Sequence, residues 1–85
     1  MAHLFDTPEP ISVESDSLGT PLSFRWEEKT HPVECVYDRW RIHTDWSKPD
    51  VVWFEFFKLT TESGRAVVIY HDFISGKWYI ERPYD

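Results

Sequence analysis

The amino-acid sequence predicts an all-β fold: a single small antiparallel β-meander, folded as a strongly bent sheet or partly open barrel of about six strands. Two observations support this class. Runs of apolar and aromatic residues alternate with short turn segments at a spacing of about 8–15 residues, as in small sheets and barrels. No segment has a convincing helical period, although a helix within residues 38–48 stays an alternative. The 85 residues suffice for one domain, predicted at residues 11–85 after a flexible lead-in at residues 1–10.

Two short strands at residues 11–14 and 22–27 are predicted to form the first hairpin. The segment between them is rich in Ser, Asp, Gly and Pro, which supply the local hydrogen bonds and backbone angles of turns. The second strand alternates polar and apolar residues, and its apolar face consists of Leu22, Phe24 and Trp26. We predict the next turn at residues 28–32.

The third strand carries apolar residues in two groups of opposite parity, Val33, Cys35 and Tyr37 against Trp40 and Ile42. A pattern with a period of two changes face only where a residue is inserted. We therefore predict a β-bulge or a sharp bend near residues 38–39, at which the strand curls over to begin a barrel.

The two central strands, residues 51–60 and 65–73, are apolar on both faces. The first places Trp53, Phe57 and Leu59 on one face, and Phe54 and Phe56 on the other. Such strands are typical of a sheet that is covered on both sides. A hairpin turn is predicted between them, with Gly64 at positive φ, and a last strand at residues 77–82, ended by Pro83.

Composition and charge restrict the partners. Aromatic residues make up 18% of the chain and the formal net charge is −6. Affinity for phosphate backbones comes mainly from Lys and Arg, so this balance disfavours nucleic acid and anionic membrane surfaces. The N-terminus lacks the features of a signal peptide, and no stretch is apolar enough for a membrane span. We expect a cytoplasmic protein with no membrane partner.

No catalytic or metal-binding signature is recognisable in the sequence. The single cysteine, Cys35, lies in a predicted strand and is expected to be a buried core thiol in a reducing compartment. His43 and His71 each lie close to an aspartate, but neither spacing is diagnostic of a general base or a metal ligand. The three glycines fall at turns, so no phosphate-binding loop is present. We expect no enzymatic activity, no metal and no cofactor.

The predicted function is protein interaction through an aromatic sheet face. Interface cores are rich in aromatic residues and Arg and poor in other charges. The residues expected on this surface are Arg39, Trp40, Arg41, Trp46, Trp53, Phe54 and Tyr84. A single-stranded nucleic-acid-binding module is the alternative, because arginines on either side of a tryptophan can hold a backbone beside stacked bases. A homodimer is a third hypothesis, compatible with the first. The simplest interpretation of the Arg and Lys residues in these strands is that they face solvent and pair with Asp38, Glu55 and Glu81 across the sheet.

Several segments resemble a family of small uncharacterised bacterial domains. The matching segments are residues 10–13, 24–26, 38–41, 56–65, 70–72 and 76–85, so the resemblance covers about residues 9–85. Domains similar to these occur alone or at the C-terminus of ImuB-type polymerase-like proteins, which implies a β module with a tie to DNA repair. The family supplies no catalytic residues to carry over. The sequence departs from the family pattern at Pro83, where a non-proline residue is more common.

The strand assignment predicts that Phe57→Ala lowers the free energy of unfolding by about 3–5 kcal/mol, as for other buried rings. A domain of this size has little stability in reserve, so a loss of this magnitude is enough to unfold the variant. Thermal melts of both proteins test this. A melting temperature equal to that of the wild type would contradict the assignment of this strand.

Overall fold

The computed structural model describes residues 9–44, 47 and 51–81. These residues form a closed antiparallel barrel in which each strand pairs with the next and β6 pairs with β1. The strands are β1 (Glu9–Ser15), β2 (Pro21–Trp26), β3 (Lys29–His43), β4 (Trp53–Thr61), β5 (Ala66–Asp72) and β6 (Trp78–Ile80). The predicted all-β meander of about six strands is confirmed, and the barrel is closed rather than partly open.

β3 is the longest strand, with 15 residues, and it takes part in two ladders in succession. Its first four residues, 29–32, pair with β2. From Val33 to His43 it pairs with β4. The second part of β3 therefore extends past the end of β2 and, among the described residues, pairs with β4 alone.

Two register shifts in β3 decide which side chains point inward. They lie between Val33 and Cys35 and between Val36 and Asp38, so Glu34 and Tyr37 are the extra residues. The second shift confirms the predicted bend to within about a residue. The first was not predicted.

The additional bulge changes the expected faces of β3. Val33 and Val36 pack against the barrel core, whereas Cys35 and Tyr37 are exposed. The prediction that Cys35 is a buried core thiol is wrong, because the extra residue at Glu34 turns its side chain to the outside.

The interior of the barrel is filled by large apolar side chains, and the buried ones come from four strands, β2, β4, β5 and β6. The buried members are Phe24, Trp26, Phe57, Leu59, Val67, Ile69 and Ile80. Phe57, Leu59 and Ile69 are completely inaccessible to solvent. These residues confirm the inward face predicted for the two central strands.

Leu22 lies outside this core and is 55% exposed. It was predicted to share the apolar face with Phe24 and Trp26. A register shift between Glu14 and Ser15 lets Ser15 pair with Pro21, and Pro21 is the buried residue at that end of β2.

The turn between β2 and β3 also differs from the prediction. It consists of Glu27 and Glu28 alone, while residues 29–32 belong to β3. Both glutamates have positive φ, 55° and 64°, as both central residues of a type I′ hairpin turn do. The sequence lacks the usual Asn-Gly or Asp-Gly signal there, so the turn could not be located from composition.

Other predicted boundaries shift by a few residues. β1 begins at Glu9 rather than residue 11, and β6 ends at Ile80. The hairpin turn before β5 has Gly64 at φ 94°, as predicted. Residues 38–43 are strand, not helix. Most of the predicted lead-in and the strand end at Pro83 lie outside the described residues.

The turn geometry predicts that Glu28→Gly stabilises the protein by about 0.5–1 kcal/mol, because glycine adopts positive φ without the steric penalty of a Cβ atom. For a domain of this size, the melting temperature should rise by about 2–8 °C. The matched control is Glu14→Gly within β1, which should lower stability because glycine weakens a strand interior. A lower melting temperature for Glu28→Gly would contradict the left-handed turn.

Candidate interaction surface

A second apolar cluster lies on the outside of the barrel, across β3, β4, β5 and β6. We call it the outer aromatic face and define it as Trp40, Ile42, Phe54, Phe56, Val68, Tyr70 and Tyr79. In the register of the sheet, Trp40 lies opposite Phe56, Phe56 opposite Tyr70, and Tyr70 opposite Tyr79. One row of rings therefore crosses four strands, since residues directly opposite each other project from the same face.

The rings of this row are in contact with one another. Trp40 stacks on Phe56 with 5.3 Å between ring centroids and 5° between planes. Phe56 contacts Tyr70 at 4.8 Å, and Tyr70 stacks on Tyr79 at 5.3 Å. Aromatic pairs at these distances are each worth about 0.5–1.5 kcal/mol beyond the area they bury. The rings of this row therefore stabilise one another.

Exposure is concentrated at the β3 end of the face. Phe56 and Tyr70 are each 8% exposed, whereas Trp40 is 37% and Ile42 44% exposed. Asp38 and Lys58 lie opposite each other on the same side of the sheet and give this end a rim of both charge signs. An apolar centre with a mixed polar rim is the arrangement found in protein interfaces.

The opposite, inward-facing side of the same strands carries a charged cluster at one end of the barrel. We call it the charged mouth, formed by Arg39, Arg41 and Glu55. Glu55 is buried, with 4% exposure, and its Oε2 atom accepts hydrogen bonds from both arginine Nε atoms, at 2.6 Å from Arg39 and 3.2 Å from Arg41. The pairing of these arginines with Glu55 across the sheet confirms the simplest reading of the strand charges.

Arg39 is held from several sides. Beyond Glu55, it donates hydrogen bonds to the Thr20 hydroxyl and the Leu18 carbonyl, and its guanidinium lies 5.1 Å from the Phe57 ring centroid. Arg41 is less constrained, with a side chain that is 61% exposed and a guanidinium 6.0 Å from the Phe73 ring. Among the described residues, its terminal nitrogens have no hydrogen-bond partner. Arg39 is therefore structural, and Arg41 can reach a ligand.

Two effects oppose each other at Glu55. Burial raises the pKa of its carboxyl group, but the hydrogen bonds and charges of Arg39 and Arg41 outweigh burial, and the pKa lies below its ordinary value. The carboxylate is thus ionised at neutral pH. Two arginines share this one carboxylate, and the nearby Asp16 carboxylate also interacts electrostatically with Arg39.

His71 lies on the same face as Glu55, opposite it on β5. Its ring stacks on Trp78 with 4.4 Å between centroids and 7° between planes. Burial lowers the pKa of His71, so the imidazole is neutral at pH 7. Asp72 projects to the other face, and its carboxylate accepts hydrogen bonds from the backbone N–H groups of Ile74 and Ser75, so the two side chains point apart.

The structure separates the residues predicted for the interaction surface. Trp40 and Phe54 belong to the outer aromatic face, whereas Arg39, Arg41 and Trp53 lie on the opposite side of the same two strands. The remaining two, Trp46 and Tyr84, lie outside the described residues. The order Arg-Trp-Arg suggested that the two arginines flank the ring of Trp40. Their side chains instead project from the opposite face of the sheet.

Sequence reasoning missed several members of both clusters. Ile42 and Phe56 were recognised as apolar but not assigned to the surface, and Tyr70 and Tyr79 were not connected with it. The signal that could have found them is parity, since Phe54, Phe56, Val68 and Tyr70 alternate with inward-facing residues. Their alignment across strands depends on register, which the sequence does not state.

Residues 9–44, 47 and 51–81 contain no group of three or more His, Cys, Asp or Glu side chains placed to hold a metal ion. The same residues include no helix long and apolar enough to cross a membrane.

The charged mouth predicts a pH-dependent effect of Glu55→Gln. At neutral pH the variant should lose about 1.5–3 kcal/mol, because an amide cannot replace hydrogen bonds between charged groups. The lowered pKa of Glu55 means that its contribution is present above the ordinary carboxyl value of about 4.3 and is lost as the pH falls through the folded-state pKa. The difference from wild type should therefore shrink in acid.

Denaturant unfolding at a series of pH values measures this difference. Glu62→Gln is the matched control, because Glu62 is an exposed turn residue and its replacement should have little effect at any pH. A constant difference for Glu55→Gln from neutral to acid pH would contradict the ion pair.

The comparisons with known proteins add no relative. A scan against models of protein families, a search of curated proteins and a search of solved structures each find no match to this chain. The case for a functional surface therefore depends on the residues of this chain, and its resemblance to small bacterial β domains stays a prediction.

Proposed function

We propose that this protein is a non-enzymatic protein-interaction module that binds its partner through the outer aromatic face. The observation that supports this proposal is the exposure of Trp40 and Ile42, which continue a stacked aromatic row to the surface. Neither residue is needed to fill the barrel, whose core lies on the other side of the sheet. Large apolar side chains grouped at the surface are characteristic of binding sites.

The physical basis of binding would be burial of these two side chains. Tryptophan is enriched among the few interface residues that carry most of the binding energy. Trp40 is already fixed by its contact with Phe56, so little side-chain entropy is lost when a partner covers it. The rim carries both charge signs, from Asp38 and Lys58, which favours a protein over a polyanion.

Single-stranded nucleic acid is the less favoured partner. Its recognition needs several cations that are free to contact phosphates, and Arg39 is engaged by Glu55, Thr20 and Leu18. The acidic net charge opposes it further. A tie to DNA repair, implied by the resemblance, would be through a protein of that process.

The test is a selection of displayed peptides against the purified protein, followed by calorimetric titration of selected peptides. Trp40→Ala should weaken binding about thirtyfold or more, the effect of removing a hot-spot residue. Leu18→Ala is the matched control, since Leu18 is 77% exposed and lies in the loop between β1 and β2, which contributes no side chain to the outer aromatic face, and it should leave affinity unchanged.

Equal losses in both variants, or none in Trp40→Ala, would contradict the proposed surface. A parallel titration with a single-stranded oligonucleotide follows the fluorescence of the five tryptophans at low and near-physiological salt. Saturable, salt-sensitive quenching would support the nucleic-acid module in its place.

A further inference from the structure

The second part of β3 has a free edge. β2 pairs with β3 only through residues 29–32, and beyond them β3 pairs only with β4 on its other side, among the residues that the structure describes. Every residue from Tyr37 to His43 is exposed. The neighbouring loop, residues 16–20, makes its backbone hydrogen bonds internally and reaches β3 through the side chain of Arg39.

The ladder between β3 and β4 shows which backbone groups face this edge. Thr44 N–H donates to the Val52 carbonyl at 3.0 Å, and the register continues without a shift from there to Asp38. Hydrogen-bonded pairs alternate along an antiparallel ladder. The backbone groups of Trp40 and Ile42 are therefore directed to β4, and those of Arg39 and Arg41 to the open edge.

A second hydrogen bond supports this assignment. Phe73 N–H donates to the Trp53 carbonyl at 2.9 Å, so the backbone of Trp53 is directed to β5 and not to His43. The alternation along β4 then places the Glu55 backbone on the β5 side as well. Arg41, which lies opposite Glu55, is left with its backbone groups facing away from the sheet.

Of the two residues whose backbone groups face this edge, Arg39 has its N–H already bonded, whereas Arg41 does not. The Asp38 carboxylate accepts a hydrogen bond from Arg39 N–H at 2.8 Å, which occupies that edge donor. Side-chain capping of this kind protects sheet edges from uncontrolled pairing. The N–H and carbonyl of Arg41 have no such cap among the described contacts, and they form the donor and acceptor that an added strand needs.

The side chains around Arg41 define the sequence that would fit. The guanidinium of Arg41 lies on the side of the charged mouth, and among the described residues only its Nε atom is paired, with Glu55, so its terminal nitrogens can bind an acidic group. Trp40 and Ile42, on either side of it in sequence, project to the outer aromatic face. A residue paired with Arg41 would contact its charge, and the residues before and after would contact the two apolar side chains.

A second copy of this chain does not satisfy that pattern. If the β3 edges of two copies paired antiparallel with their Trp40 residues opposite each other, Arg39 of each copy would lie opposite Arg41 of the other. Like charges directly opposite each other destabilise a strand pair.

We infer that the partner adds an antiparallel β-strand to the open edge of β3, pairing an acidic residue with Arg41 and placing an apolar residue on each side of it against Trp40 and Ile42. This inference depends on the proposed function and specifies its mode: an extended peptide segment with the order apolar, acidic, apolar. Backbone hydrogen bonds supply part of the affinity in such complexes, and alternate side chains supply the specificity.

The experiment uses a capped nonapeptide with valine, glutamate and tyrosine at its centre and threonines on both sides. Titration into the intact protein at near-physiological salt should show saturable binding. Hydrogen exchange followed by NMR should show new protection at the Arg41 amide, while the amides of Trp40 and Ile42, already bonded to β4, change little. Failure of the peptide to bind, or an Arg41 amide that stays unprotected in the complex, would overturn strand addition.

Modified peptides separate backbone pairing from simple apolar contact without altering the protein. N-methylation of the glutamate removes the N–H that pairs with the Arg41 carbonyl and should weaken binding about tenfold or more. N-methylation of the tyrosine, whose N–H points away from β3, is the matched control and should have little effect. Equal effects of the two modifications would contradict the inferred pairing.

The acidic residue is tested by a double-mutant cycle. Arg41→Ala and replacement of the peptide glutamate by glutamine should each weaken binding, and the two changes together should cost little more than either alone. Independent effects would show that Arg41 does not contact that residue. Selected peptides that depend on Trp40 but tolerate either N-methylation would leave the proposed function intact while refuting this mode.

Discussion

The geometry of this protein depends on the pairing of β3 with two different strands in succession, first β2 and then β4. A barrel built from short strands must bend sharply to close, and the two bulges in β3 provide that bend between its pairing with β2 and with β4. Each extra residue moves the following side chains to the other face. Val33 and Val36 enter the core, Arg39 and Arg41 then face the mouth, and Trp40 and Ile42 face outward. Both clusters and the free edge are consequences of this one strand.

The charged mouth stabilises the end of the barrel where apolar filling stops. Phe57 is the last fully buried ring on β4 in this direction, and Glu55 follows it on the same face. Burying an unpaired carboxylate would be strongly destabilising, and two arginines prevent this. Arg39 also reaches Thr20 and the Leu18 carbonyl, so the ion pair fixes the loop between β1 and β2 relative to β3. The same pairing positions Arg41 beside the free edge.

The aromatic residues have two different roles. Inside the barrel, Phe24, Trp26 and Phe57 supply buried area that a short chain cannot obtain from aliphatic residues alone. Outside, the row from Trp40 to Tyr79 stacks across four strands and ends at an exposed edge. We regard the second set as the binding element because its exposed end coincides with the free backbone groups of Arg41. An apolar face and an open strand edge at one place suit an extended peptide better than a second sheet.

Much of the fold could be predicted from the sequence because local patterns determine it. Alternation identified the two faces of β4 and β5, Gly64 marked their turn, and the change of parity in β3 predicted a bend near residues 38–39, within about a residue of the observed shift. The absence of helical periodicity and the spacing of turns were sufficient for the all-β class. These features depend on neighbouring residues and on backbone preferences, so they are visible in the chain itself.

Only the tertiary structure decided which residues meet. The bulge at Glu34 has no compositional signal, and it alone determines that Cys35 is exposed. The turn at Glu27 and Glu28 adopts positive φ because the strands on either side are held in register by the barrel. The separation of Arg41 from Trp40, the burial of Glu55 and the free edge of β3 follow from pairing between distant segments. Register and closure are properties of the assembled sheet, so no local pattern in the sequence could have specified them.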